Sequence, residues 1–98
     1  MRNPIYTILL TMNNEFTGKP SKYYLVSYKT DRKGDIFCKY VHDELPYKAH
    51  AYKSYTSALS AAQKVLEKDY RILEVSIIRD FRIECQNIKK GELKNETM

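Results

Sequence analysis

A chain of 98 residues, 43% apolar and 30% charged, is expected to hold one domain: long enough to bury a core without obligatory disulfides or metals, and too apolar to be wholly disordered. Seventeen basic against twelve acidic side chains give a formal charge of +5, which suits nucleic acid, an anionic membrane or an acidic protein and also serves solubility. No apolar run approaches membrane-spanning length, and residues 1–10 lack the apolar core and cleavage site of a secretory signal, so a cytoplasmic protein is expected.

Residues 5–12 (I-Y-T-I-L-L-T-M) gather β-branched and aromatic side chains behind Pro4, which can begin a strand without removing a ladder donor. They make the first strand, with Tyr6, Ile8, Leu10 and Met12 on its more buried side. Residues 13–21 collect Asn, Gly, Pro and Ser and form a connection. Phe16, the one large ring in it, is expected to fold back onto the core.

Residues 22–29 (K-Y-Y-L-V-S-Y-K) and 35–41 (D-I-F-C-K-Y-V) read as the second and third strands, a hairpin. Asp31 opens the turn between them and Gly34 supplies a positive φ, the pattern of a type I turn with a bulge. In the second strand Tyr24, Val26 and Tyr28 alternate with Tyr23, Leu25 and Ser27; in the third Ile36, Cys38 and Tyr40 alternate with Phe37, Lys39 and Val41. Neither face is wholly polar.

Residues 42–53 have no period and carry Pro46, so they read as an ordered loop. His42, Asp43, Glu44 and His50 gather there, and a histidine beside a carboxylate can serve as a base or bind a metal. Their spacing matches no metal signature with a mechanical rationale, so no metal and no cofactor is expected. An enzyme or metal site in this loop is the distant alternative.

Ser54 is the expected N-cap of a helix of about fourteen residues, about 21 Å long. Ala58, Leu59, Ala62, Val65 and Leu66 recur on its apolar side, the alanines allowing close approach to a sheet, and Lys64 and Lys68 complement its dipole. After Asp69 the period changes to two, giving a fourth strand whose core side is Leu73, Val75 and Ile77, continued by Phe81 and Ile83. Residues 86–98 are polar and are expected to form a flexible tail, leaving residues 1–85 as the domain. Cys38 and Cys85 lie 47 positions apart in strand-like company and are expected to be reduced.

The order β-β-β-α-β describes a small α+β domain: a four-stranded, mainly antiparallel sheet with one helix packed on one face. A right-handed crossover is expected to set the fourth strand parallel to the third or the first. The other sheet face is left without a helix.

The chain contains no Gly-rich phosphate loop, no nucleophile elbow and no zinc spacing, so it is expected not to be an enzyme. The RNA-recognition fold also presents an open aromatic sheet, but its element order and its ribonucleoprotein motif are not those of this chain. Nine tyrosines and no tryptophan direct attention to the hairpin, where Tyr23, Tyr24, Tyr28 and Tyr40 lie among Lys22, Lys29, Lys33 and Lys39. These eight residues are the candidate binding surface.

The leading expectation is a non-enzymatic protein-binding module, an accessory or inhibitor protein occupying a larger protein or nucleoprotein through this face or through an edge strand. In size, lysine content and lack of chemistry the chain resembles small proteins of phages and mobile elements that act on host machinery, a likeness of style that covers no motif. The alternative is single-stranded RNA or DNA on the same face, with bases stacked on tyrosines and phosphates neutralised by lysines. An uncovered sheet or edge strand also offers a route to a homodimer.

Overall fold

The computed structural model describes residues 3–91. Five strands and one helix follow in the order β1 (Tyr6–Asn13), β2 (Pro20–Thr30), β3 (Ile36–His42), α1 (Tyr55–Lys68), β4 (Ile72–Arg79) and β5 (Ile83–Lys89), with a single 3₁₀ turn at Pro46–Lys48 before the helix. The sheet order is β3-β2-β1-β4-β5, and every neighbouring pair is antiparallel. The domain is therefore α+β as the sequence implies, but its sheet has five strands rather than four.

The fifth strand comes from dividing the long apolar stretch after Asp69. Asp80 and Phe81 both take positive φ, 52° and 59°, and the Arg82 amide donates to the Arg79 carbonyl, closing a tight turn within the three-residue connection from Arg79 to its partner Ile83. Positive φ at both central residues is the type I′ geometry whose twist matches antiparallel strands. Asp80 is further fixed by Ile5: its amide donates to the Ile5 carbonyl at 2.8 Å, and its Oδ1 accepts from the Ile5 amide at 3.1 Å. The chain thus reverses where alternation alone suggests a continuing strand. The expected tail accordingly begins too early: Gln86 to Lys89 belong to β5, and Ile88 is 6% exposed. The rest of that expectation, residues 92–98, lies outside the described residues.

The fourth strand is also antiparallel to its neighbour β1, not parallel as a crossover suggests. The segment before the helix explains why. After β3 ends beside Tyr23, the chain runs back along the sheet: the His50 amide donates to the Leu25 carbonyl, and Tyr52 forms a two-bond bridge with Tyr6. Residues 50–52 fill the gap where β1 and β2 diverge beyond the Leu9–Tyr24 pair. The loop makes one traverse of the sheet and α1 makes another, so β4 starts beside Met12 and runs opposite to β1.

The core lies between α1 and one sheet face. Ser54 caps the helix, its Oγ accepting from the Ser57 amide at 3.1 Å, and Ala58, Ala61, Ala62, Val65 and Leu66 are all buried. They meet Ile8, Leu10 and Met12 of β1, Leu25 of β2, and Ile72, Val75 and Ile77 of β4. The small alanines allow the helix axis to approach β1 and β4, the two strands it mainly touches. One expected core member is displaced: the β1–β4 register slips between Thr11 and Met12, so Leu73 is left out of the ladder, 39% exposed, and Ile72 is fully buried in its place. Phe81 and Ile83, also expected inside, are 42% and 40% exposed because the hairpin turn carries them out of the strand period.

Candidate protein-binding surface

The β2–β3 hairpin is built as its turn chemistry dictates. Asp31 Oδ1 accepts from the amides of Lys33 and Asp35, both at 2.9 Å, and Gly34 sits at φ 88°, where a side chain would be strained. A bulge at Val26 then divides β2. Leu25 pairs with Tyr40, Ser27 with Lys39, and Tyr28 with Cys38, so Leu25 and Tyr28 end up on the same side although three positions apart.

This bulge decides which of the eight expected residues share a face. Tyr23 and Tyr28 pack against the core on the helix side, Tyr28 with the Lys64 ammonium 5.8 Å from its ring centre. Tyr40 lies edge-on to Tyr23 at 4.9 Å and under the Arg71 guanidinium at 5.8 Å, again on the helix side. Lys22, Lys29 and Lys39 point the opposite way and are exposed; Lys33 is exposed on the turn. Tyr24 shares the lysine face yet is 8% exposed. Burial, and secondarily the carboxylate of Asp43, push its phenol above the ordinary tyrosine range. The 3₁₀ turn that follows β3 lies against both β2 and β3.

The expected mixture of tyrosines and lysines therefore does not form one surface. Three tyrosines lie on one side, three lysines on the other, and the one tyrosine among the lysines is covered. What the far face exposes beside its lysines is Phe37, 56% exposed and directly opposite Lys29. Alternation in the sequence already sets Phe37 beside Lys39, but nothing local to an apolar ring in a strand marks its face as the exposed one. A basic face with one large apolar ring is the arrangement the structure presents.

On the helix side, Asp69 organises the boundary between α1, β3 and β4. Its carboxylate is 4% exposed, takes two bonds from the Arg71 guanidinium and one from the Arg71 amide, and is thereby held below the usual carboxylate range. Burial, the nearby Asp69 charge and a hydrogen bond to it raise the Cys38 thiol to about 11, the reverse of what a nucleophile needs. Tyr70 beside them is 86% exposed, and Phe16 on the β1–β2 connection is 98% exposed rather than folded onto the core. The Asn14 side chain accepts from the Phe16 amide, and this local turn holds the ring outward.

His42 and Asp43 do meet, Nδ1 to Oδ1 at 3.0 Å, but His50 packs edge-on to Tyr52 at 4.4 Å. Among the described residues no group of three or more His, Cys, Asp or Glu side chains comes together. No described helix is long and apolar enough to cross a membrane. No known family model, no curated protein and no solved structure matches this chain.

Proposed function

We propose that this protein is a non-enzymatic binding module that docks on an acidic surface of a larger protein through the far face of its β2–β3 hairpin. The observation that carries the reading is Phe37, more than half exposed and set between Lys29 across the strand pair and Lys39 two positions along β3. A desolvatable ring surrounded by cations is the usual layout of a protein contact with an apolar centre and a charged rim. The hairpin from residue 20 to residue 42 carries five basic and two acidic side chains, so most of the chain's positive excess is concentrated there.

Nucleic acid is the weaker reading. Stacking on single-stranded bases needs ring faces beside the cations. Tyr23, Tyr28 and Tyr40 lie on the side away from Lys22, Lys29 and Lys39, and Tyr24 is covered.

Photo-crosslinking residues placed singly at Phe37, Lys39 and, as a control on the exposed helix surface, Ser60 test the proposal in cells of the native host. Positions 37 and 39 should give one discrete protein adduct that position 60 lacks, and Lys29→Glu with Lys39→Glu should remove it. Adducts of equal yield from all three positions would defeat the assignment. So would binding of mixed-sequence single-stranded oligonucleotides that falls steeply with salt and is lost in the same double variant.

A further inference from the structure

Strand β3 is one edge of the sheet, and its outer side has no strand partner among the described residues. The Asp31 amide donates to the Asp35 carbonyl, which makes these two a hydrogen-bonded pair of the β2–β3 ladder. Such pairs recur at every second residue, so Phe37 and Lys39 also turn their main-chain groups inward, toward Lys29 and Ser27. The amides and carbonyls of Ile36 and Cys38 therefore point out of the sheet edge. An open cleft of about 770 Å³ lies against that edge, bounded by residues 34–38 and residues 68–71. Its charges balance, Asp35 and Asp69 against Lys68 and Arg71, so it selects neither an acidic nor a basic occupant.

Alternation sets Asp35, Phe37 and Lys39 in one row on the far face, so the row reads acid, ring, base. Laid antiparallel to itself about Phe37, it is its own complement. We infer that β3 pairs with β3 of a second copy across a two-fold axis at Phe37, joining two sheets edge to edge. In this register Phe37 stands opposite Phe37 of the other copy, and Asp35 stands opposite Lys39 twice. Ile36 and Cys38 exchange main-chain hydrogen bonds with Cys38 and Ile36 of the other copy, through the groups that already point outward. The ring pair and both ion pairs then fall at non-hydrogen-bonded positions, where cross-strand side chains come closest.

The neighbouring charges agree with this register. Asp31, paired with Asp35 across the ladder, adds to the acidic end that meets Lys39. Arg32 and Lys33, on the turn, come level with His42 and Val41 of the other copy, so no lysine or arginine meets another. A two-fold at Lys39 would set the lysines against each other, and one at Cys38 would leave Asp35 opposite Val41. Pairing also covers Phe37, 56% exposed, and brings chain against Tyr70, 86% exposed on the wall of the cleft. An isologous contact requires this kind of self-complementarity. The inference does not rest on the docking role, which uses neither Asp35 nor the free main-chain edge.

Sedimentation equilibrium of the full-length protein tests the pairing. One short strand pair buries less than a standard interface, so a monomer–dimer equilibrium with Kd between about 10 μM and 1 mM is expected. Asp35→Lys and Lys39→Asp should each weaken it at least tenfold, because each turns two attractions into two repulsions. The two variants mixed should form a heterodimer, and Asp35→Lys with Lys39→Asp in one chain should associate as the native protein does. In a background of Cys38→Ser with Cys85→Ser, Phe37→Cys should oxidise to a covalent dimer and Lys39→Cys should not. Unchanged circular dichroism in each variant separates lost pairing from lost fold.

A native protein that stays monomeric at about 2 mM overturns the inference. So do single variants that associate as well as the native protein, a mixture of them that stays monomeric, or oxidation at position 39 instead of 37. In the crosslinking experiment, an adduct of twice the chain's mass from position 37 reports the second copy and any other mass a docking partner, so the two readings fail separately.

Discussion

Arg71 reaches back two residues to hold Asp69 at two points, Nε donating to Oδ1 at 3.0 Å and Nη2 to Oδ2 at 2.8 Å. The carbonyl of the same aspartate accepts from the Lys90 ammonium at 2.8 Å, so one residue ties the end of α1 to the start of β4 and the end of β5. Arg71→Ala leaves a buried carboxylate with only the residue 71 amide and the Cys38 thiol as donors. It should destabilise by about 2 kcal/mol, less than for a fully buried pair because the arginine side chain is 44% exposed. Urea titration of both proteins measures this.

The same pair sets a pH dependence. Asp69 titrates below its ordinary value of 3.8, chiefly because the Arg71 guanidinium bonds to it. A depressed folded value gives stabilisation that is complete above the unfolded value and is lost as pH falls through the folded one. The stability gap between the native protein and Arg71→Ala should therefore be constant from about pH 5 to 7 and shrink below about pH 4. A gap that stays constant down to pH 2 would count against the ion pair as its source.

Phe81 occupies a left-handed backbone conformation at φ 59°, where a bulky side chain is disfavoured. Asparagine tolerates that conformation, so Phe81→Asn should raise stability by about 1 kcal/mol and the melting temperature by roughly 5 °C. Gly34→Ala should have the opposite sign, because φ there is 88° while space is open around it. Thermal melts of the two variants side by side test the pair.

Cys38 and Cys85 should separate cleanly on alkylation. At pH 8 burial and Asp69 reduce the Cys38 thiolate population about a hundredfold below that of an ordinary thiol, whereas Cys85 is exposed on β5. One equivalent of iodoacetamide should react quickly, at Cys85 by peptide mapping, and the second only after unfolding. Rapid labelling of Cys38 in the folded protein would contradict its packing.

Phe16→Ser should change stability by less than about 0.5 kcal/mol, since the ring is 98% exposed. Leu25→Ala, at a fully buried position in the middle of the sheet, should cost about 3 kcal/mol. The contrast distinguishes a ring held outward by its own turn from a side chain the core depends on.

Elements with strong local signals were legible in the chain itself. Ser54 as N-cap, the alanine stripe of α1 and the Asp31 and Gly34 turn are each fixed by chemistry within a few residues, and all appear where periodicity and turn composition place them. The type of the first three strands follows from alternation in the same way. The lysines of the candidate surface were legible as exposed, because charged side chains avoid burial wherever the strand runs.

Long-range pairing decided the rest. A bulge moves every later side chain of a strand to the other face, and bulges at Val26 and Leu73 depend on which strand lies alongside. That is why Tyr28 joined the core side and Ile72 replaced Leu73. The reversal at Asp80 and Phe81 has no glycine to announce it and is held by Ile5, 75 residues away in the chain. The sequence by itself determined the helix, the turn chemistry and the sign of the charge; tertiary structure alone decided that lysines and tyrosines part company across the sheet, since facing is a property of paired strands and not of one strand.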